Sequence, residues 1–327
     1  VTVANLVAVG IIVWRDWRSP IIYFLVQAAV AAVHVVALHF VLWRRMPGSG
    51  PAKAAPHRLR EVWRFAAGMT GLTLCGILLS QMDKVVVSRI VPLEEFGYYM
   101  IGALVASGLL IILTPVFNAV FPRFSALAAA GDEQAARELY HGVVQVLAVL
   151  LLSAAAVAAM FSYDVLLLWM RDEKTARAAA PIAAVLLTGT ALNGLIYPTY
   201  ALQLAHGWTR LGLMINLVQL AIVIPLLIAF ASWRGAIGAA LVWPILNLGY
   251  IAAGVPLTHR RLLLGAAGEW LRDVLPPLVV AVAVAALARF FQPADVSRLL
   301  YLVMTSAVTL AAASFAAPRV RGALLRR

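Results

Sequence analysis

Five residues with chemical potential stand together where an apolar run ends. Gln81, Asp83, Lys84, Ser88 and Arg89 sit at the end of, or just past, residues 65–82, which carry no charge. Gln81, Lys84 and Ser88 are spaced by three and four, so a helix puts them on one face. A cation fixed in a low-dielectric cavity attracts a diphosphate far more strongly than it would in water. That face therefore suits an anionic or sugar-rich cargo. The plainer alternative is that Lys84 and Arg89 snorkel to the membrane surface. Asp83 lies roughly 27 Å along a helix that starts at residue 65, at 1.5 Å per residue. It is the one carboxylate expected at membrane depth. Arg123, after Phe121–Pro122, is the matching cation at the other end, or an interfacial anchor.

Amides and phenols make a second set. Thr190, Asn193, Tyr197 and Tyr200 fall within about an 80° stripe of one helix. Ser107, Thr114 and Asn118 share a face of another, and Asn216–Gln219 and Asn247–Tyr250 are i,i+3 pairs on two more. Polar groups in apolar helices turn to the bundle interior or to a wet cavity. Each alone reads equally as an interhelical hydrogen bond. Four such helices together favour a shared hydrated cavity.

Covalent and metal chemistry find no support. His34 and His39 lie five apart, on different helix faces, and His57, His141, His206 and His259 fall at loops or helix ends. No Cys/His or carboxylate cluster has metal spacing. No nucleophile triad, P-loop or glycine-rich phosphate motif occurs. Glu94–Glu95 and Asp172–Glu173 read as solvated turns. The sequence predicts no catalytic apparatus, no metal and no cofactor.

The elements that must position these residues follow from composition. Of 327 residues, 63% are hydrophobic and 12% charged, against an ordinary roughly 45–50% and 25%. Mean hydropathy is +0.92. There are too few charges for the surface of a soluble globule, and a single cysteine, Cys75, excludes a disulfide scaffold. The chain reads as an all-α polytopic membrane protein, because helices alone among open structures satisfy their backbone in lipid. Stretches free or nearly free of charge predict about ten spans at 1–14, 19–43, 65–82, 96–122, 139–170, 178–209, 211–233, 235–259, 274–288 and 299–318. The first is short and begins without methionine, and it lacks the basic start of a signal peptide. It reads as a cut helix and the chain as a fragment.

The net charge of +12 belongs to loops, not to a nucleic-acid stripe. Of the 26 Lys and Arg residues, 16 fall on the side facing loop 44–64, here side one, and 10 on side two. The positive-inside rule makes side one cytoplasmic, with the C-terminus inside. The loop 44–64 is rich in Pro, Gly and basic residues and reads as a hinge between two bundles, or as a plain surface loop.

Certain short motifs recur in order: Gln81 with Asp83–Lys84, Gly97–Tyr98–Tyr99, Phe121–Pro122 before Ser125, Gly131–Asp132, Leu139–Tyr140, and Tyr200–Ala201–Leu202–Gln203 before Gly207. In this order and spacing the chain resembles the lipid-linked oligosaccharide flippases of polysaccharide biosynthesis, in the multidrug/oligosaccharidyl-lipid/polysaccharide (MOP) exporter superfamily. The resemblance is best from about Arg60 to Leu262. It implies the second half and more of a two-lobe, fourteen-helix transporter. Residues 1–43 would be a remnant of the first lobe, 44–64 a basic linker, 65–259 the second six-helix lobe, and 260–327 a terminal helix pair and basic tail. It implies alternating access that moves an isoprenoid-pyrophosphate-linked glycan across the inner membrane. Polysaccharide polymerase and glycosyltransferases are the expected partners. Lys84, Arg89 and Arg123 would offer charge, and Asn118, Asn193, Tyr197, Tyr200 and Gln203 hydrogen bonds. Gln81 and Asp83 complete the expected site. Rival readings are a drug exporter of the same fold, a membrane polymerase or ligase, and a non-transporting fragment.

Overall fold

The computed structural model describes residues 20–45, 56–293 and 296–325. The expected first span, 1–14, lies outside the described residues, as do 46–55 of the expected linker and Arg326–Arg327. The chain divides into two units, Val1–Leu59 and Arg60–Arg327. Within the first, α1 (Pro20–Arg45) is one apolar helix. Its Tyr23 and Phe24 rings meet edge to face, and His39 leans on Trp43.

The second unit begins within α2 (Pro56–Ile90), so residues 56–64 of the expected linker are helical. Then follow α3 (Leu93–Ser107), α4 (Leu110–Ala130), α5 (Glu133–Leu147), a π turn (Ala148–Leu152), α6 (Ser153–Met160) and α7 (Ser162–Met170). The last five are α8 (Glu173–Ala205), α9 (Thr209–Leu262), α10 (Ala266–Phe290), α11 (Arg298–Ala316) and α12 (Pro318–Leu325). Among the described residues there is no strand.

Among the described residues, eight helical segments are long and apolar enough to cross a membrane. The longest, α9, contains 54 residues and breaks at Arg234–Gly235. There it doubles back, since Gln219 Nε2 donates to Leu246 O at 3.0 Å across 27 residues. Its two arms are the spans expected at 211–233 and 235–259. The protein is therefore a multi-pass membrane protein whose described spans are those its apolar stretches predict. The last part of the stretch expected at 139–170 forms the separate short helix α7.

Local chemistry explains the joints. Gly235 takes φ +62°, a conformation glycine adopts without a Cβ penalty. The Glu95 carboxylate then accepts from Ala236 N at 2.6 Å, capping the second arm. Glu95 is thus an interhelical cap rather than the solvated turn residue expected. Asp132 and Asp172 cap α5 and α8 through Ala135 N and Thr175 N. The Thr175 hydrogen bonds hold the exposed Asp172 carboxyl below its usual range. At Gly108, α3 passes into α4 through i→i+3 bonds, which bend the span without breaking it.

Helix α8 is the axis of the unit. Its Ala176, Ala179, Ala180 and Ala183 are buried, and small residues let backbones approach closely. A Cβ on Gly102 of α3 would come within 3.0 Å of Ala183 N. Helices α3, α4, α5 and α9 surround this axis. Along its length α2 stands apart from it, seated by buried Leu72 toward side one and buried Val87 toward side two. The gap between is the hollow described next.

Candidate functional site

The hollow lies among α2, α3, α4, α8 and α9. It has two connected chambers, of about 340 Å³ and 560 Å³, which share Leu79, Ser80, Leu110, Asn193, Trp243 and Leu246. The one nearer side two is lined by Gln81, Asp83, Lys84, Tyr99, Ser107 and Thr190. The one nearer side one is lined by Phe117, Tyr197, Tyr200, Asn216, Gln219, Asn247 and Tyr250. Both fall in the roughly 300–1,000 Å³ range of small-ligand pockets.

Charge in the first chamber is divided between two neighbours. Asp83 Oδ2 accepts from Tyr99 OH at 2.7 Å, while its Oδ1 is buried with no partner among the described residues. Lys84 turns about 100° away along the helix. Its Nζ donates to Gln81 Oε1 and to Ser80 O, each at 2.9 Å. An ammonium has three donors, so one proton of Lys84, which lines the chamber, has no partner among the described residues.

The second chamber is neutral. Asn193 Nδ2 donates to Asn247 Oδ1 at 2.8 Å, and Asn247 Nδ2 donates to Trp243 O at 2.8 Å. Trp243 Nε1 donates to Thr190 Oγ1 at 3.3 Å. These bonds fix the polar wall where α8 meets the second arm of α9. They use up only part of its capacity. Among the described residues, Asn193 Oδ1, Gln219 Oε1 and the Tyr197 and Tyr200 hydroxyls have no hydrogen-bond partner. Phe117 stacks on Tyr200 at 6.1 Å and meets Tyr197 edge to face at 6.0 Å. An aromatic floor beside amide and hydroxyl groups suits a polar ring with apolar faces, the general form of a sugar.

Of the residues singled out in the sequence, Gln81, Asp83, Lys84, Asn193, Tyr197 and Tyr200 come together here. Four others do not. Arg89, Asn118 and Arg123 are exposed and line neither chamber. Gln203 is buried below the second chamber, where it donates to Thr258 Oγ1 at 2.7 Å and joins helices. Ser88 is exposed and bonds to Val85 O.

The structure adds residues the sequence reading passed over. Trp243 was hidden by its apolar type, although it lies one turn before Asn247 on the same face. His141 lies within α5 and His259 in the last turn of α9, and both are buried: Tyr140 OH lies 2.8 Å from His259 Nε2 and 2.8 Å from Thr199 Oγ1. Two carboxylates that the sequence reading did not single out, Asp164 and Asp273, are buried. Asp164 pairs with Arg289 at 3.1 Å and Arg298 at 3.6 Å. Such partners lie more than a hundred residues apart and leave no local pattern. Among the described residues no cluster of His, Cys, Asp and Glu could hold a metal ion.

Residues 4–173 match a family described as polysaccharide biosynthesis protein. Among solved structures, the chain is similar to the lipid II flippase MurJ in an inward closed conformation, with a TM-score of 0.62 and 13% identity. That match covers 95% of this chain and 64% of MurJ, just under two thirds of its length. A eukaryotic MATE transporter, AtDTX14, aligns with a TM-score of 0.43 and 18% identity over 80% of this chain and 68% of the transporter. No curated protein sequence matches.

Proposed function

The chain belongs to the polysaccharide biosynthesis protein family, and from that premise we propose that it translocates an isoprenoid-pyrophosphate-linked oligosaccharide by alternating access. The supporting observation is the hollow itself. It is lined by amides, phenols and an indole among apolar side chains, with the Lys84 ammonium and the Asp83 carboxylate at its side-two end. Sugars enter the neutral aromatic chamber. The diphosphate meets the spare proton of Lys84, where the low dielectric strengthens the attraction. The isoprenoid tail stays in the bilayer. This arrangement removes the cost of drawing a hydrated diphosphate through hydrocarbon, which is many kcal/mol for an unpaired ion.

The MurJ-like fold supports a rocking mechanism, in which packed bundles alternate the opening of a midplane site. The chain acts as a transporter rather than an enzyme in this reading. It resides in the inner membrane with its C-terminus in the cytoplasm. Glycosyltransferases build its cargo and a polymerase consumes it.

The test is allele replacement at the chromosomal locus. Combined Lys84→Ala and Asn193→Ala removes the spare cation and the amide at the junction of the chambers. The expected outcome is loss of surface polymer with accumulation of lipid-linked precursor on the inner leaflet. Wild-type polymer in a strain that makes the variant at wild-type levels contradicts the proposal.

A further inference from the structure

A second polar cluster lies outside the hollow, where α5 meets the terminal helices at side one. His141 of α5 is fully buried. Its Nδ1 is 2.5 Å from Asp273 Oδ2 and its Nε2 is 3.0 Å from Glu269 Oε2, both carboxylates on α10. The Glu269 contact is an ion pair without good hydrogen-bond direction. Gln145 Nε2 donates to the other Asp273 oxygen at 2.6 Å, and Gln145 Oε1 accepts from Arg319 N at 2.9 Å. Arg137 pairs with Glu269 at 2.7 Å.

The opposite end of the same helices is held differently. At side two the partners of Asp164 among the described residues are Arg289 and Arg298, and arginine keeps its charge at every accessible pH. Between the two ends, Ala281, Ala285, Ala313 and Ala317 are fully buried, so the pair packs closely along its length.

Proton counting sets the side-one end apart. A carboxylate only accepts, and each ring nitrogen of His141 faces one. A neutral imidazole has one N–H, so it serves one carboxylate and turns a lone pair on the other. Only the imidazolium serves both. We propose that His141 is a proton-binding site: charged, it fastens α10 to α5 at side one, and its deprotonation frees that end while the Asp164 end stays closed.

The charged and titratable neighbours are consistent with this direction. Arg137 and Tyr140 flank His141 on α5, His259 reaches it from α9, Glu269 and Asp273 face it from α10, and Arg319 approaches from α12. When the proton leaves, two carboxylates remain around a neutral ring, with Arg137 and Arg319 as the nearest cations. The latch is therefore closed toward acid and open toward alkali. The proposal does not depend on what the hollow carries.

The test is hydrogen exchange of the full chain in lipid nanodiscs, each rate divided by its intrinsic value at that pH. Between about pH 5 and about pH 8, residues 266–278 are expected to lose about tenfold protection. That is the factor a charge-assisted hydrogen bond contributes to local opening. Residues 281–290 are expected to stay unchanged. A flat profile, or equal loss in both segments, overturns the proposal. In His141→Gln the ratio between the two segments should no longer vary with pH. A persisting response in that variant assigns the proton elsewhere, for instance to His259, and equally overturns it. If His141→Gln does not fold, the wild-type profile decides alone.

Discussion

Asp83 and Lys84 are adjacent in sequence yet do not pair with each other. The helix sends them in different directions, Asp83 to Tyr99 and Lys84 back along its own turn. The Tyr99 bond also ties α2 to α3 across one end of the hollow. Tyr99→Phe removes this donor and leaves a carboxylate at depth without its partner. A hydrogen bond to a charged group contributes roughly 1.5–3 kcal/mol, so the variant should lose stability of that order. Thermal unfolding in detergent, compared with Tyr200→Phe, checks it. Tyr200 OH has no partner among the described residues and its loss should cost much less. Equal shifts in the two variants contradict the assigned bond.

Residue type also decided what could be read beforehand. Asn193, Tyr197 and Tyr200 announce themselves because polar side chains are costly in lipid and recur at helical spacing. Asn118 obeys the same pattern and still faces outward. Helical periodicity gives a direction relative to other stripes, not which neighbour fills it. His141 gave no signal, since its partners Glu269 and Asp273 are over a hundred residues away.

At the scale of the element, the informative contacts are close approaches. Where α8 crosses the second arm of α9, a Cβ on Gly189 would fall 2.4 Å from Trp243 Cδ1 and 2.8 Å from Pro244 N. The proline backbone is rigid, so the clash cannot be relieved by a rotamer alone. Gly189→Ala should therefore destabilise the protein by roughly 1–3 kcal/mol, the usual cost of overpacking. It should also displace Trp243 and weaken its bond to Thr190, seen as altered tryptophan emission. An unchanged melting temperature and spectrum contradict this packing. Helix boundaries were legible because charges interrupt apolar runs. Arg234–Gly235 divided α9 correctly, and the positive φ of Gly235 explains why. The π turn at Ala148–Leu152 was not legible, because its residues are as apolar as the helix on either side.

At the scale of the whole molecule, apolar stretches fixed how many described spans there are, and the order of weak motifs pointed to the family that residues 4–173 match. What periodicity could not supply was depth. The resemblance implied Arg89 and Arg123 for the site, and both are exposed and line neither chamber; the buried ion pairs that join α5 and α7 to α10 left no local pattern. The central claim is that polar faces of α2, α8 and α9 converge on a water-filled hollow that receives the head of a lipid-linked glycan. Thiol labelling tests it most directly. In a Cys75→Ser background, single cysteines replace Asn193 and Asn216 in the hollow and Leu217 on the outer face. A small membrane-impermeant reagent is applied to nanodiscs with and without lipid-linked oligosaccharide. Fast labelling of Asn193→Cys and Asn216→Cys, slow labelling of Leu217→Cys, and protection of the first two by the glycan lipid are the expected results. Labelling of Asn193→Cys no faster than Leu217→Cys, or unchanged by the glycan lipid, contradicts the account.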